Sequence, residues 1–251
     1  SAVYRDYQEN YKRGMHFFDQ KLYGQALEEF NIVTATANLF QDTDVPMYVL
    51  QSELHGGLAA LSTKQADAEK RLLTFIDNHD PSPVATKARL AIGNHYYDQR
   101  KYSLAIKYLS KVPNLDLNNV EIIEKKFKLG YCYFVKKKFD QAKALLYQVK
   151  ESKTQYYYPS NYYYGITNFF DKEYDEALKS FKRVQNSKKY SSIVPSYICQ
   201  IYFALKQHPE LIKYGEPLAN DKNVREREQI SQLLGQAYFE QGDYEKALPF
   251  L

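Results

Sequence analysis

One pattern recurs along the chain, and it limits the fold more than any other feature. It reads Gly, an aromatic or polar residue three later, Ala twelve later, an apolar residue four beyond that, and another three further on. Complete copies are Gly14, Phe17, Ala26, Phe30, Val33; Gly93, Tyr96, Ala105, Leu109, Val112; Gly130, Tyr133, Ala142, Leu146, Val149; and Gly165, Asn168, Ala177, Phe181, Val184. A further copy, Gly235, Tyr238, Ala247 and Leu251, runs to the last residue. Weaker copies fill the gaps at Gly56, Ala68, Leu72, Phe75 and at Cys199, Tyr202, Leu211, Leu218. Anchors at 14, 56, 93, 130, 165, 199 and 235 lie 42, 37, 37, 35, 34 and 36 apart. A near-fixed period in this range marks a solenoid of stacked units.

Each unit holds two stretches with apolar residues at the helical spacing of three and four. Leu90, Gly93, Tyr96 and Tyr97 form one such stretch, and Ala105, Ile106, Leu109 and Val112 the next. A short polar turn ending in an aromatic separates them, as in Gln99-Arg100-Lys101-Tyr102 or Lys172-Glu173-Tyr174. Gly in the first helix and Ala in the second remove bulk where the helices cross, so their axes approach closely. The expected fold is all-α: a right-handed superhelical solenoid of antiparallel helix pairs forming one domain over 1–251. Its repeats fall at about 8–38, 50–80, 84–114, 121–152, 159–187, 193–220 and 228–251.

Composition excludes several alternatives. Hydrophobic residues at 44% and charged residues at 25% rule out wholesale disorder. Lys+Arg 34 against Asp+Glu 30 leaves +4, too little to demand a nucleic acid or a membrane surface. Two cysteines, Cys132 and Cys199, exclude a disulfide framework and a Cys-rich metal site, and both read as small buried hydrophobes. The most apolar stretch, near Ser196–Leu205, is far short of the roughly 20 residues of a membrane helix. Ser1-Ala2-Val3-Tyr4 has neither the basic start nor the apolar core of a signal peptide, although a cleaved one could precede it.

Leu129-Gly130-Tyr131-Cys132-Tyr133 and Leu234-Gly235-Gln236-Ala237-Tyr238, with Asp175-Glu176-Ala177-Leu178-Lys179-Ser180-Phe181, resemble the two halves of the tetratricopeptide repeat. The Trp common early in that family's first helix is absent. The resemblance covers nearly the whole chain, with about six repeats and part of a seventh. A narrower similarity lies in Thr74-Phe75-Ile76-Asp77-Asn78-His79-Asp80-Pro81-Ser82, followed by Ala85, Ala88 and Leu90-Ala91-Ile92-Gly93. This join is similar to those of bacterial envelope members involved in outer-membrane assembly or linked to the Tol–Pal system. It implies a periplasmic or outer-membrane-peripheral location rather than a cytoplasmic one; any peripheral attachment to a membrane would come from residues ahead of Ser1. Three irregularities are expected: a loose first join over Thr34–Tyr48, a second helix of the sixth unit shortened or kinked by Pro217, and more chain beyond Leu251, where the last repeat lacks a polar cap.

The resemblance implies a binding groove lined by first helices, at positions three before and one, four and five after each anchor. The expected protein- or peptide-binding residues are Tyr97, Phe127, Tyr131, Phe134, Tyr162, Ile166, Phe169, Phe170 and Phe203. Some of these could instead pack neighbouring repeats together. Chaperone-docking members carry a Lys three before the anchor; here those positions hold Tyr11, Glu53, Leu90, Phe127, Tyr162, Ser196 and Gln232, which argues against a chaperone-tail receptor. Tyr156-Tyr157-Tyr158 and Tyr162-Tyr163-Tyr164 form a candidate exposed patch.

Motifs for catalysis are not found: no phosphate-binding Gly loop, Gly-x-Ser-x-Gly elbow, His-Glu-x-x-His or Cys-x-x-Cys. His55-Gly56-Gly57 falls inside a helical pattern, and Asp77, His79 and Asp80 read as a capped turn rather than a metal site. The sequence implies no cofactor, no metal, no small-molecule substrate and no enzyme activity. Basic residues at Lys125, Lys126, Lys128, Lys136-Lys137-Lys138, Lys182, Arg183, Lys188 and Lys189 raise an RNA- or polyanion-binding alternative, which the low net charge disfavours. A regulatory arm of a larger multidomain protein is the other alternative.

Overall fold

The computed structural model describes residues 2–37 and 47–250, with side chains at 7–35 and 47–250. Among the described residues there are fourteen α-helices and no strand. They run as seven pairs: α1 (Ala2–Asp19) with α2 (Tyr23–Ala37), α3 (Met47–Ser62) with α4 (Ala68–His79), and α5 (Pro83–Asp98) with α6 (Tyr102–Leu109). Then come α7 (Asn119–Val135) with α8 (Phe139–Val149), α9 (Tyr157–Phe170) with α10 (Tyr174–Val184), and α11 (Val194–Ala204) with α12 (His208–Ala219). Last is α13 (Arg227–Glu240) with the single-turn α14 (Tyr244–Ala247). The expected join at Thr34–Tyr48 lies largely outside the described residues.

The chain divides into two compact units, Ser1–Lys125 and Lys126–Leu251, with the boundary inside α7. In the first, each helix packs on the next from α1 to α6, and first helices also meet first helices, α1 on α3 and α3 on α5. In the second, the succession runs from α8 to α14, with α11 against α13. Contact limited to nearest neighbours is how a helical solenoid holds together.

The crossings explain the anchor glycines. A Cβ added at Gly93 would lie 2.6 Å from Leu109 Cδ2, at Gly14 2.6 Å from Phe30 Cε1, and at Gly165 2.8 Å from Phe181 Cε1. Each partner stands sixteen residues after its anchor and is fully buried. A large side chain of the second helix therefore drops onto bare backbone of the first, and Ala26, Ala105, Ala142 and Ala177, also fully buried, clear the space beside it.

Two units depart from the expected spacing. In the second, the space-limited glycine is Gly57, whose Cβ would meet Leu72 Cδ2 at 2.7 Å; at Gly56 the nearest atom is an ordinary 3.5 Å away. The anchor is thus 57, and its partner Leu72 follows fifteen residues later instead of sixteen. In the sixth, the sizes are exchanged. Cys199 stands at the anchor, and sixteen residues later Gly215 takes the place of the bulky partner, its hypothetical Cβ 3.4 Å from Cys199 Sγ. Pro217 does not shorten α12, which has 12 residues against 11 in α8 and in α10; Pro209 sits in its first turn, where the missing N–H costs nothing.

Seven residues after each structural anchor the backbone turns left-handed: Lys21, Lys64, Arg100, Lys137, Lys172 and Lys206 have φ between 55° and 62°, and Gly242 has φ 82°. Each closes its helix in the same way. Lys137 N–H donates to Phe134 O at 2.9 Å and Lys138 N–H to Tyr133 O at 2.9 Å, the paired bonds of a Schellman cap. Left-handed backbone costs an L-residue about 1 kcal/mol, partly offset by a cation at the negative helix end. Lys137→Gly should accordingly raise stability by roughly 0.5–1 kcal/mol in urea unfolding; a loss of stability would contradict this account of the turn.

Candidate functional site

At the second-to-third repeat join, Ser82 Oγ accepts from Ala85 N–H at 3.2 Å and caps α5, and Asp80 holds the buried Arg89 guanidinium at 2.6 Å. The conspicuous residues of the join are therefore structural, and Asp77 and His79 belong to α4. Three histidines meet one carboxylate each: His79 with Glu53, His95 with Glu69 and His208 with Glu240, at 3.4, 3.3 and 3.0 Å. Cys132 and Cys199 are free and fully buried, and burial pushes both thiols up to about 12, so they stay protonated and inert. A cleft of about 440 Å³ between α2, α3 and α4 contains Arg71, whose guanidinium donates to Asp67 at 2.7 Å and to Asn31 at 2.8 Å.

The basic run does not form one patch. Lys125 is buried, donating to Val112 O at 2.7 Å and to Asn114 Oδ1 at 2.5 Å, where it ties α7 to the preceding turn. Lys136, Lys137 and Lys138 are exposed at the α7–α8 turn.

The second unit gathers most of the groove residues expected from the sequence into one connected set of rings. Phe127 stacks on Tyr156 at 4.7 Å between centroids. Tyr131 and Phe134 each meet Tyr163 at 4.9 Å. Tyr162 lies between Tyr163 at 5.1 Å and Tyr190, on which it stacks at 4.4 Å. Phe169 meets Tyr197 at 5.2 Å and Phe170 at 5.7 Å. Tyr197 in turn stacks on the buried Phe181 at 5.2 Å. These edge-on and offset contacts fix the rings without clamping them flat. Burial is the main cause that raises the hydroxyl pKa of Tyr162, Tyr163, Tyr190 and Tyr197, with Tyr131 the next contributor at Tyr163. The phenols remain neutral hydrogen-bonding groups well into the alkaline range.

The residues differ in what they present. Phe127 and Ile166 are only 6% and 4% exposed, so they belong to the interior and offer no groove surface. Tyr131, Phe134, Tyr162 and Phe169 are half-buried, Phe203 packs against the His208 ring at 5.7 Å, and Phe170 is 61% exposed. Tyr97 belongs to the other unit, where it meets Tyr102 at 6.3 Å. In the expected tyrosine patch, Tyr158 is exposed and Tyr164 buried. Two participants were not foreseen. Tyr190 follows α10 rather than lying on a first helix, and Tyr197 occupies a first-helix position two before the anchor.

Beyond the rings the face changes character. Ser196 Oγ donates to Gln229 Oε1 at 2.7 Å, and Gln200 Nε2 donates to Ser196 Oγ at 3.1 Å and to Gln229 Oε1 at 3.2 Å. Gln232 and Gln236, on the same helix as Gln229, are exposed. Neither α9 nor α11 contains a charged residue.

Comparison with known proteins agrees with this architecture. Tetratricopeptide repeat models match residues 64–116 and 126–152. No curated protein matches the sequence. Among solved structures, a tetratricopeptide repeat protein from Parabacteroides merdae aligns with TM-score 0.55 at 13% identity, covering 98% of this chain and 91% of that one. The apo form of RapI aligns with TM-score 0.56 at 14% identity, covering 98% and 94%. The quorum sensor NprR from B. thuringiensis aligns with TM-score 0.51 at 12% identity, covering 98% and 74%. At such identities the likeness speaks for the fold alone. The recurring anchor-and-partner crossings, the paired helices and the two matching repeat models together identify the chain as a tetratricopeptide repeat protein.

Proposed function

We propose that the protein is a non-catalytic scaffold that captures a protein or peptide partner on the first-helix face of its second unit. One observation carries the reading: a continuous aromatic network across α7, α9 and α11 reaches the surface at Phe170, and neither α9 nor α11 carries a charged side chain. Aromatic side chains give large contact area for little lost rotamer freedom and dominate the energetics of interfaces. A fold of stacked pairs supplies rigid support for them, and its stability does not depend on Phe170, whose ring is mostly in solvent. The RNA-binding alternative draws less support, because Lys125 of the basic run is internal. A setting in a bacterial cell envelope, assembling with partners there, is the finer part of the proposal; it draws on the join at residues 74–93, and cell fractionation tests it.

Phe170→Ala should weaken partner capture about tenfold or more, as for an interface anchor, without lowering the melting temperature. Tyr147→Ala provides the control, since Tyr147 is 57% exposed but lies on the second helix α8. Equal losses from the two variants, or loss only from Tyr147→Ala, would overturn the assignment of the face.

A further inference from the structure

We infer that the first unit holds a separate site: the cleft between the α4–α5 join and the turn after α6 binds a small, singly charged carboxylate with an apolar body, anchored on Arg89. The inference goes beyond the binding face proposed above and does not depend on it.

Three observations carry it. The first is Arg89. Its side chain is only 7% exposed, and among the described residues its guanidinium has one partner, Asp80 Oδ1 at 2.6 Å from Nη2. A guanidinium carries five N–H donors in a fixed fork, so one oxygen leaves most of them unpaired, and Arg89 forms part of the wall of a cleft of about 380 Å³. Charged donors held out of water without acceptors are costly, and ligand oxygens in the cleft would remove that cost. A carboxylate meets the fork with both of its oxygens at once. The second is the balance of charge. Arg89 and Lys111 border the cleft together with Asp80 and Asp116, and Lys125 stands behind it, bonded to Val112 O and Asn114 Oδ1. The lining and its immediate backing thus hold three cations and two carboxylates. Ser82, Pro83 and Thr86 also bring the first turn of α5 to the cleft, with the positive end of a 16-residue helix. This surplus suits one negative charge. A phosphate monoester, carrying about −1.5 to −2, would be left facing Asp80 and Asp116, the latter held in place by Thr86 Oγ1, which donates to it at 2.9 Å. The third is the apolar wall. Pro81, Pro83 and Pro113 line the cleft with three rigid rings that offer no side-chain donor or acceptor, a surface suited to an apolar body.

Isothermal titration calorimetry of the whole chain with 3-phenylpropanoate tests the site. The comparison probes are its neutral amide, benzyl phosphate, and an acetylated tetrapeptide ending in phenylalanine with a free C-terminus. 3-Phenylpropanoate should bind with a Kd of about 1 mM or tighter, and the amide and benzyl phosphate at least tenfold more weakly. Lys111 is exposed, so Lys111→Gln should weaken the acid several-fold at an unaltered melting temperature. Arg89→Lys should abolish binding. Because Arg89 is buried, Asp116→Asn gives a second reading that does not rest on it: asparagine keeps an acceptor for Thr86, and benzyl phosphate should bind several-fold more tightly. Phe170→Ala, in the other unit, should leave all these values unchanged, so partner capture there and carboxylate binding here succeed or fail separately. No saturable binding of 3-phenylpropanoate, equal binding of its amide, or indifference to both Lys111→Gln and Arg89→Lys would overturn the inference. Tighter binding of benzyl phosphate than of the acid by the parent chain would overturn the single-charge assignment. Binding of the tetrapeptide tenfold tighter than the free acid would overturn the small-molecule assignment in favour of a chain terminus.

Discussion

Replacing Gly93 by alanine should destabilise the protein by about 2 kcal/mol, although alanine is the better helix former. Two effects oppose each other. Relieving a mid-helix glycine gains about 1 kcal/mol. Against it, the new methyl would stand 2.6 Å from Leu109 Cδ2, 2.8 Å from Leu109 Cγ and 3.3 Å from its backbone nitrogen. Leu109 is fully buried and cannot swing away, so overpacking of about 1–3 kcal/mol applies, at the upper end because backbone is involved. Gly56→Ala is the matched opposite: its methyl meets Phe30 Cβ at 3.5 Å, and it should stabilise by about 0.5–1 kcal/mol. Chemical unfolding of both variants reads the sign difference directly. Leu109→Ala should cost less in the Gly93→Ala background than alone, by more than about 1 kcal/mol, because the two sites share one volume. The sixth unit already shows the exchanged arrangement, with Cys199 over Gly215.

Phe181→Ala should be among the most damaging single truncations in the second unit, at about 3–5 kcal/mol. The ring is fully buried, seats on the bare backbone of Gly165, and carries Tyr197 stacked at 5.2 Å with Tyr162 at 6.5 Å. Its loss leaves a void that glycine cannot fill and removes the support beneath two rings of the proposed binding face. Urea unfolding should show the lost stability, and the near-ultraviolet circular dichroism of the folded variant should show loosened tyrosines. Phe170→Ala, mostly solvated, should stay within about 0.5 kcal/mol of the parent. Comparable losses for the two would mean that Phe170 is core and the face is misassigned.

Much of the scaffold could be read from residue spacing because its cause is local and periodic: a small residue at the crossing, a large one sixteen later, and helical apolar spacing between them. What escaped reading depends on space rather than order. Gly56 and Gly57 look interchangeable in the sequence, and only the packing of Leu72 against the second selects it as the anchor. Cys199 looks like a lost glycine until Gly215 is seen across the crossing. Lys125 looks like one charge in a basic run, yet it is the member turned inward to Val112 and Asn114. Lysine is not a usual signal for left-handed backbone, so the recurring caps at Lys21 to Lys206 were invisible among ordinary polar turns. At the proposed binding face, the repeat register picked out residues of α7, α9 and α11 but could not separate the submerged Phe127 and Ile166 from Phe170. Tyr190 was missed because it arrives from a loop.

Site-specific photo-crosslinking in the native cell tests the central claim most directly. A benzoylphenylalanine placed at Phe170 should trap a discrete protein partner. The same group at Tyr147, equally open to solvent on the opposite member of a helix pair, should trap little. Strong products from position 147 with none from 170 would place the partner on the second helices and contradict the account.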